Sequence, residues 1–289
     1  MNRALHLLLA ALCCLLPLCG CAQAQVLPSM PAPVEEASRL EVTFFNCGKA
    51  DSALLRAGDE TILIDTGTQK AGKYVLSRLR EMGVTRLDAM IISHPHKDHV
   101  GGADVILEEI PASQVYIGPL KVESKQVDQF DEALEALGLT PVLLKAGDAF
   151  TLGGMTLRVL GPRYTDYEDE NDRSLVLQVA YGDTKFLFAG DAEKPLLNEL
   201  LASGSALQAD VLKVPHHGRA EDNSPLFFQA VSPQIAVIPC ERGTEDGLPE
   251  APVVSALKAA GAGVYVTDDG DVTVLSDGKK VTASQGTAP

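Results

Sequence analysis

The sequence predicts an α/β protein in which two sheets pack face to face between layers of helices. Short apolar strand patterns alternate with amphipathic helical segments from residue 40 to residue 266. Both halves of the chain contribute strands with covering helices, which favours two sheets. No change of composition separates two domains, so we expect a single domain over residues 39–284.

The first half of the chain begins with three short strand patterns separated by glycine-containing turns. Val75, Leu79 and Met82 then recur at helical spacing, and Gly83 can end that helix in a left-handed conformation. A fully apolar run indicates a buried strand, after which a helix can begin near Val100. The predicted strands are residues 40–45, 53–56, 61–65, 87–93, 114–117 and 140–144, and the predicted helices are residues 73–82 and 127–137.

The second half repeats this alternation around an acidic loop at residues 166–172. Two strands precede the loop, and two more follow it before a short helix. The predicted strands are residues 149–152, 156–160, 174–180, 185–188, 211–214, 235–238 and 264–266, and the predicted helices are residues 196–201 and 253–260.

Three histidines and an aspartate lie within residues 94–99, directly after an apolar strand. Neutral imidazoles suit Zn²⁺, and a carboxylate among them can serve a second ion about 3.5–4 Å away. A pair of hydrolytic metal ions requires these side chains, whereas an ordinary core does not. The residue types therefore predict that His94, His96, Asp98 and His99 bind metal.

Polar residues also follow three other apolar strands. Asp65 follows the third strand, Asp191 follows residues 185–188 with a glycine between, and His216 and His217 follow residues 211–215. All five histidines beyond the first 21 residues fall in two clusters, which a random surface distribution does not explain. The sequence therefore predicts that these strand ends meet at one site.

These motifs resemble the metallo-β-lactamase superfamily, and residues 40–280 resemble the hydrolase domain of ComEC-type DNA-uptake proteins. The matching motifs occur in the order and approximate spacing of that family. They are Asp65-Thr66-Gly67, residues 94–99 with Gly101-Gly102, residues 171–177, Gly190-Asp191 and residues 212–218. The resemblance implies a four-layer αββα sandwich and a hydrolase with two divalent metal ions, of which zinc is favoured while manganese stays open.

The resemblance also implies a role for each matching side chain. The first metal would bind His94 and His96, and the second would bind Asp98, His99 and His217. The remaining roles concern Asp191, Asp65 and His216. Asp191 would bridge both metals, Asp65 would accept an N–H from a ligand histidine and fix its tautomer, and His216 would face the substrate as a proton donor. Asp98 and His216 are the expected catalytic residues.

The chain departs from the family around this core. The first metal site lacks a further histidine, so Asn171, Asp172 or water is left to complete it. Asn171 and Arg219 are candidate substrate-binding residues, because Arg219 replaces a serine of the family and a guanidinium binds phosphate in bidentate fashion. Lys49 is a further candidate for an anionic group. Arg219 and Lys49 could equally be ordinary surface charges.

The first 21 residues predict an export signal, because residues 5–18 form an apolar run too short for a comfortable membrane span. Residues 18–21 resemble a bacterial lipoprotein signal with Cys21 as the lipidated residue. Residues 22–24 would alternatively suit ordinary cleavage and a secreted soluble protein. We expect a membrane lipoprotein facing outside the cytoplasm, with a proline-rich linker over residues 22–38.

Two cysteines, Cys47 and Cys240, remain beyond the signal. They could form one disulfide in an oxidising exterior, but no spacing pattern supports that pairing. Unpaired buried thiols are the interpretation that we favour.

The formal net charge is −15, so the surface should repel polyanions and no strong nonspecific binding of nucleic acid is expected. The sequence favours an exported phosphodiesterase or nuclease-like enzyme that cleaves an anionic phosphoester through a metal-bridging hydroxide. The alternative function is that of a lipid-anchored accessory or binding protein that holds metal without turnover. The departures from the family in the loops around the site are the reason to consider it. The lipid anchor is the only membrane contact expected.

Overall fold

The computed structural model describes residues 39–119, 122–244 and 247–287. All of them lie in the unit formed by Ala37–Pro289. The predicted export signal at residues 1–21 and the linker at residues 22–38 lie outside the described residues. Within the described part of the chain, no helix is long and apolar enough to span a bilayer.

Fifteen strands and six α-helices make up the described fold. In chain order, the strands are β1 (Leu40–Phe44), β2 (Ala53–Ala57), β3 (Glu60–Ile64), β4 (Ala89–Ile92), β5 (Val115–Ile117), β6 (Val142–Leu143), β7 (Ala149–Leu152), β8 (Met155–Gly161), β9 (Val176–Tyr181), β10 (Thr184–Phe188), β11 (Val211–Lys213), β12 (Ile235–Ile238), β13 (Gly263–Val266), β14 (Val272–Ser276) and β15 (Val281–Gln285). The helices are α1 (Gln69–Glu81), α2 (Ala103–Leu107), α3 (Lys125–Leu137), α4 (Lys194–Ala202), α5 (Pro225–Val231) and α6 (Ala251–Ala259).

The strands form two sheets, one in the order β15-β14-β1-β2-β3-β4-β5-β6 and the other in the order β13-β12-β11-β10-β9-β8-β7. One apolar core lies between the sheets and includes Ile62 and Ile64, whereas Leu63 points to the outer face, as the two-residue period of a strand requires. Helices α1, α2 and α3 cover the outer face of the first sheet. Helices α4, α5 and α6 cover the second sheet. The predicted four-layer αββα sandwich is confirmed.

Three elements were not predicted: α5, β14 and β15. Helix α5 has only seven residues, too few for a clear helical period. Strand β14 completes the first sheet by pairing with β1 at the other end of the chain, a partnership that no local pattern indicates. Helix α1 begins four residues before the predicted start because the Thr68 side chain accepts the N–H of Ala71 and caps it there.

The topology brings the predicted site residues to one end of the sandwich. Strand β3 is parallel to β4, and β10 is parallel to β11. The carboxyl ends of parallel neighbours meet at the same sheet edge. Asp65 follows β3, residues 94–99 follow β4, Asp191 follows β10, and His216 and His217 follow β11.

A close backbone approach holds the loop after β4 against α1. A Cβ at Gly102 would lie 2.4 Å from the Thr66 carbonyl oxygen and 2.6 Å from the Gly72 Cα. A Cβ at Gly101 would lie 2.1 Å from the Lys97 carbonyl oxygen. Both positions therefore require glycine, and this contact sets the path of the loop that carries the histidines.

Gly102→Ala is expected to lower the free energy of unfolding by about 1–3 kcal/mol, because the added methyl has no space. Gly263→Ala is the matched control, since the nearest atom to its added Cβ is the Gln234 carbonyl oxygen at 3.6 Å. The control should stay within about 0.5 kcal/mol of the parent protein. Urea denaturation measures both variants, and equal stabilities would contradict the steric argument.

Candidate metal centre

The buried end of the sandwich carries two clusters of histidine and carboxylate side chains. His94, His99 and His217 are completely buried, and Asp191 is 2% exposed. Among the described residues, two groups have ligand atoms close enough to hold a metal ion. The buried group is Asp51, His99, Asp191 and His217, and the half-buried group is Glu193, His216 and Asp222.

Asp65 and Ser93 anchor two of the imidazoles by their Nδ1 atoms. Asp65 Oδ2 lies 2.9 Å from His99 Nδ1 and 2.8 Å from Ser93 Oγ, and Ser93 Oγ lies 3.1 Å from His94 Nδ1. Because an ionised carboxylate only accepts, His99 and Ser93 donate to Asp65, and His94 donates to Ser93. In the neutral imidazoles, both Nε2 atoms then carry the lone pair. Both are buried and have no hydrogen-bond partner within the described chain.

His217 is anchored in the same way from the second sheet. Its Nδ1 lies 2.9 Å from the carbonyl oxygen of Pro239, so Nδ1 carries the proton. The backbone of His216 and His217 is left-handed, with φ of 43° and 50°, which is uncommon outside glycine. This turn holds the two rings 6.0 Å apart. The Nε2 atom of His217 is also buried, again without a hydrogen-bond partner among the described residues.

The free Nε2 atoms face two carboxylates. Asp191 Oδ2 lies 3.2 Å from His99 Nε2 and 3.3 Å from His217 Nε2. Asp98 Oδ2 lies 3.5 Å from His217 Nε2. Around a tetrahedral ion with bonds of about 2.0–2.1 Å, neighbouring ligand atoms lie roughly 3.3–3.4 Å apart. The separations from Asp191 to His99 and His217 therefore fit a single divalent cation, and Asp98 lies beside the His217 nitrogen at a similar distance.

His94 and His96 lie on the other side of His99. The rings of His94 and His99 are 4.0 Å apart, and those of His94 and His96 are 4.8 Å apart. His96 is the more accessible ring, and its Nε2 lies 3.2 Å from Glu170 Oε2. These two imidazoles and Glu170 are not one of the two groups whose ligand atoms lie close enough together to hold an ion among the described residues.

The acidic loop lies on the His96 side of the centre, and the sequence had left open whether Asn171 or Asp172 would contact the metal there. Asn171 is buried, and its Nδ2 donates to Glu193 Oε1 at 2.7 Å. Asp172 Oδ1 accepts the backbone N–H of Glu193 and of Leu196, each at 3.0 Å, and thereby caps α4. Asp172 is thus committed to the helix. Glu170 is the residue of this loop that contacts a predicted ligand.

His216 lies in the half-buried group at the edge of the centre. Its Nδ1 is 2.9 Å from Asp222 Oδ2 and 3.3 Å from Glu193 Oε1. Arg219 Nε lies 3.6 Å from the same Asp222 oxygen. Burial lowers the pKa of His216 to about 4 and raises the pKa of Glu193 to about 7. At neutral pH, His216 is therefore a neutral imidazole beside acidic groups.

A buried ion pair lies behind the cluster. The Lys213 ammonium pairs with the Asp51 carboxylate, and its Nζ also lies 3.5 Å from Asp191 Oδ1. Asp51 lies 3.5 Å from His217 Nδ1 and 3.8 Å from His99 Nδ1. It therefore contacts the anchored side of both imidazoles, opposite the free Nε2 atoms.

The cluster favours bound cations. Burial opposes protonation of His99 and His217, but the Asp191 carboxylate outweighs it, raising the pKa of His99 well above its usual value and that of His217 to about 9. Burial opposes ionisation of Asp191 and Asp98, but the two imidazoles hold the pKa of each carboxyl below its usual value. Burial and His99 lower the pKa of His94, which keeps it neutral. A divalent cation can take the place of the imidazole protons.

Sequence reasoning missed Asp51, Lys213 and Glu170. Lys213 offered a signal, because a lysine inside a buried apolar strand needs a partner. Glu170 lies in the acidic loop, whose contacts depend on how that loop folds back. Asp51 lies in a loop where the sequence indicated only Lys49 as a candidate residue.

Both body cysteines are free thiols in the structure, so the disulfide left open by the sequence is not formed there. Burial raises the pKa of the Cys240 thiol to about 12 and that of Cys47 further still. Neither thiol is ionised at neutral pH, which makes both poor nucleophiles.

Known proteins match this chain over most of its length. A family model of the metallo-β-lactamase superfamily matches residues 46–241. The chain is 27% identical to ComE operon protein 3 of Bacillus subtilis, over 79% of the chain and 32% of that protein. It is 29% identical to competence protein ComA of Neisseria gonorrhoeae, over 78% of the chain and 31% of that protein. The chain spans about a third of the length of these two relatives.

Solved structures share the fold. The metallo-β-lactamase fold protein YhfI from Bacillus subtilis superposes with a TM-score of 0.55 at 16% identity, covering 86% of this chain and 100% of that chain. Igni18, a metallo hydrolase from Ignicoccus hospitalis, gives a TM-score of 0.52 at 15% identity with the same coverage. The predicted resemblance to ComEC-type competence proteins is confirmed, and the chain belongs to the metallo-β-lactamase superfamily.

Proposed function

We propose that this protein is an exported hydrolase that uses two divalent metal ions to cleave a phosphodiester. The observation that carries the proposal is the group of three buried imidazoles, His94, His99 and His217, with anchored Nδ1 atoms and unpartnered Nε2 atoms. An unpaired buried polar atom costs about 1–3 kcal/mol. Two of them, those of His99 and His217, face the carboxylates of Asp191 and Asp98, and bound cations would give all three nitrogens a partner.

Each ion would bind two imidazoles and share the carboxylate of Asp191. The proposed sets are His94 and His96 for one ion, and Asp98, His99 and His217 for the other. Zinc suits the imidazole nitrogens, and manganese suits the carboxylate oxygens. When bound, such ions activate water as a nucleophile near neutral pH and neutralise the group under attack. No serine or cysteine nucleophile is then required.

His216 is proposed to deliver the proton that the leaving oxygen needs. Because its imidazole is neutral at neutral pH, Nε2 would first have to take up a proton, and the carboxylates of Asp222 and Glu193 beside Nδ1 would stabilise the resulting cation. The side chain of His216 is 15% exposed, whereas the three anchored imidazoles are fully buried. Because its Nδ1 faces Asp222 and Glu193, Nε2 is the atom left to meet a substrate. A positioned acid of this kind contributes typically about 10²–10⁴-fold to the rate.

The proposed substrate is an anionic phosphodiester. A carboxylate at position 191 and the paired histidines favour a phosphoester over a β-lactam, and the similarity to competence proteins supports the same class. Arg219 lies next to the His216 cluster and would bind a substrate phosphate. Asn171, held by Glu193, would be a second contact.

Membrane attachment is proposed to occur through lipid on Cys21, which lies outside the described residues. The support is the pattern of residues 18–21. The similarity to competence proteins agrees with a membrane-associated or exported protein.

His217→Ala should lower the metal content, because it removes an anchored imidazole from the centre. His216→Ala should keep both ions and lose roughly 10²–10⁴-fold in the rate of bis(p-nitrophenyl) phosphate hydrolysis. Each variant serves as the control for the other, since the two residues are adjacent. Metal analysis and steady-state kinetics measure both effects. Metal loss in His216→Ala with retention in His217→Ala would reverse the two roles.

Asp191→Ala should abolish hydrolysis and remove at least one ion, because the carboxylate faces both anchored Nε2 atoms of the second set. Asp59→Ala, in the exposed turn between β2 and β3, is the control and should leave metal content and rate unchanged. Full metal occupancy with undiminished turnover in Asp191→Ala would exclude Asp191 from the centre. A wild-type protein that holds metal but cleaves no phosphodiester would instead support the accessory or binding protein.

Cys21→Ser should release the protein from membranes, because the lipid is the proposed anchor. Fractionation of cells that express the full chain measures the effect, and Cys19→Ser should leave the protein attached. A wild-type protein that is already soluble and begins at Gln25 would contradict the lipid anchor and favour secretion.

A further inference from the structure

A second recess opens at the same end of the second sheet as the metal centre. It is an open cleft of about 660 Å³ formed by the start of β7, the end of β8 and the first residues after β8. Lys145, Arg158 and Arg163 line it together with Tyr164. We call it the cationic cleft, because Asp148 is the one carboxylate residue among those that line it.

The three cations of the cleft form no direct ion pair with a carboxylate among residues 39–119, 122–244 and 247–287, although Asp148 lines the same cleft and Glu199 Oε1 accepts the backbone N–H of Arg163. Arg163 Nη2 donates to Ser205 Oγ at 3.4 Å, and Asp148 accepts the backbone N–H of Lys145. The cleft therefore carries positive charge on a chain whose formal net charge is −15. A recess of one charge sign focuses its field on ligands of the opposite sign.

Tyr164 adds an aromatic ring to the cations. It is 62% exposed, although burying a large aromatic side chain is favourable. A positively charged groove with an accessible aromatic side chain is the combination that binds single nucleic-acid strands, because the cations contact phosphates and the ring stacks on a base. A flat bilayer surface cannot enter a recess of this shape, whereas a strand can.

The strand order places β8, whose end lines the cleft, two strands away from β10, which precedes Asp191. Strand β8 is antiparallel to β9, which is antiparallel to β10, so the end of β8 shares a sheet edge with Asp191. With strands about 4.8 Å apart, β8 is roughly 10 Å and β7 roughly 14 Å from β10. A single strand of a few nucleotides spans that separation.

The acidic loop between β8 and β9 connects the two sites, and most of its inner carboxylates are engaged. Glu170 contacts His96, Asp169 accepts the backbone N–H of Asn171, and Asp172 caps α4. These contacts order the loop but leave its negative charge in place, so the cations of the cleft supply the attraction for a strand.

We propose that the cationic cleft binds a single nucleic-acid strand that continues to the phosphodiester at the metal centre. The cleavage position rests on the function proposed above, whereas binding in the cleft does not. Binding would be local and salt-sensitive, in keeping with the acidic surface elsewhere.

The test compares the wild-type chain with K145S/R158S/R163S. The matched control is K70S/K73S/R80S, which removes the same number of cations from α1, a helix on the opposite face of the sandwich. The probe is a labelled oligothymidylate of about twelve nucleotides, long enough to cover both sites. Fluorescence anisotropy in EDTA measures binding without cleavage, and kinetics of the metal-loaded protein compare the oligonucleotide with bis(p-nitrophenyl) phosphate.

The cleft variant should bind the oligonucleotide roughly tenfold more weakly, and its plot of log affinity against log salt should lose a slope of about two, or 0.7 for each of three contacts. Its KM for the oligonucleotide should rise, while kcat and the hydrolysis of bis(p-nitrophenyl) phosphate stay unchanged. Tyr164→Ala should weaken binding about fivefold or more, and Tyr164→Phe should retain it, because the ring is what stacks.

Equal binding by the wild type, the cleft variant and the α1 control would overturn the proposal. So would binding to phosphatidylglycerol vesicles through the same cations without binding to the oligonucleotide. If the wild type fails to hydrolyse either diester, the proposed function fails, and the anisotropy measurements still decide whether the cleft binds a strand.

Discussion

The ion pair between Lys213 and Asp51 is the interaction on which the arrangement of the metal centre depends. Lys213 belongs to β11 of the second sheet, and Asp51 precedes β2 of the first, so the pair joins the sheets behind the ligands. Lys213 is the one lysine buried among the described residues, and its Nζ also donates to the Gly190 carbonyl oxygen at 2.7 Å. Removing one partner of a buried pair leaves an uncompensated charge, which costs about 3–5 kcal/mol. We therefore expect the loss of either Lys213 or Asp51 to destabilise the fold around the metal centre.

The orientation of Asp191 follows from this pair. Its Oδ1 faces Lys213, and its Oδ2 faces the imidazoles of His99 and His217. The backbone around it is held in unusual conformations, with positive φ at Asp65, at Gly190 and at both residues of the His216-His217 turn. Such conformations cost about 1–3 kcal/mol each at non-glycine residues and persist only where the surroundings enforce them. Here the packing of the two sheets and the hydrogen bonds of the anchored Nδ1 atoms hold the backbone in these conformations.

The loop between β8 and β9 separates two surfaces of opposite charge. Its first residues, with β7 and β8, form the cationic cleft, and its last residues contact His96 and cap α4. An acidic surface repels polyanions in general, while a short cationic recess near the metal centre attracts one local stretch of phosphate. This division of charge agrees with the proposed function, in which a nucleic-acid strand would bind at the cleft while the rest of the acidic surface repels nucleic acid.

The sequence by itself determined the fold class, the order of most elements and the strand ends that carry the site, because strand and helix periods and the ligands in residues 94–99 are local patterns. It also identified Asp65 as a partner of a ligand histidine through the family resemblance, which matches its contact with His99. Only the tertiary structure decided which partners the loops bring in: Glu170 beside His96, Asp172 at α4, and Asp51 with Lys213. It likewise decided that β14 pairs with β1 and that three cations meet in one cleft. These contacts join segments far apart in the chain, and they depend on how sheets and loops pack rather than on any local period.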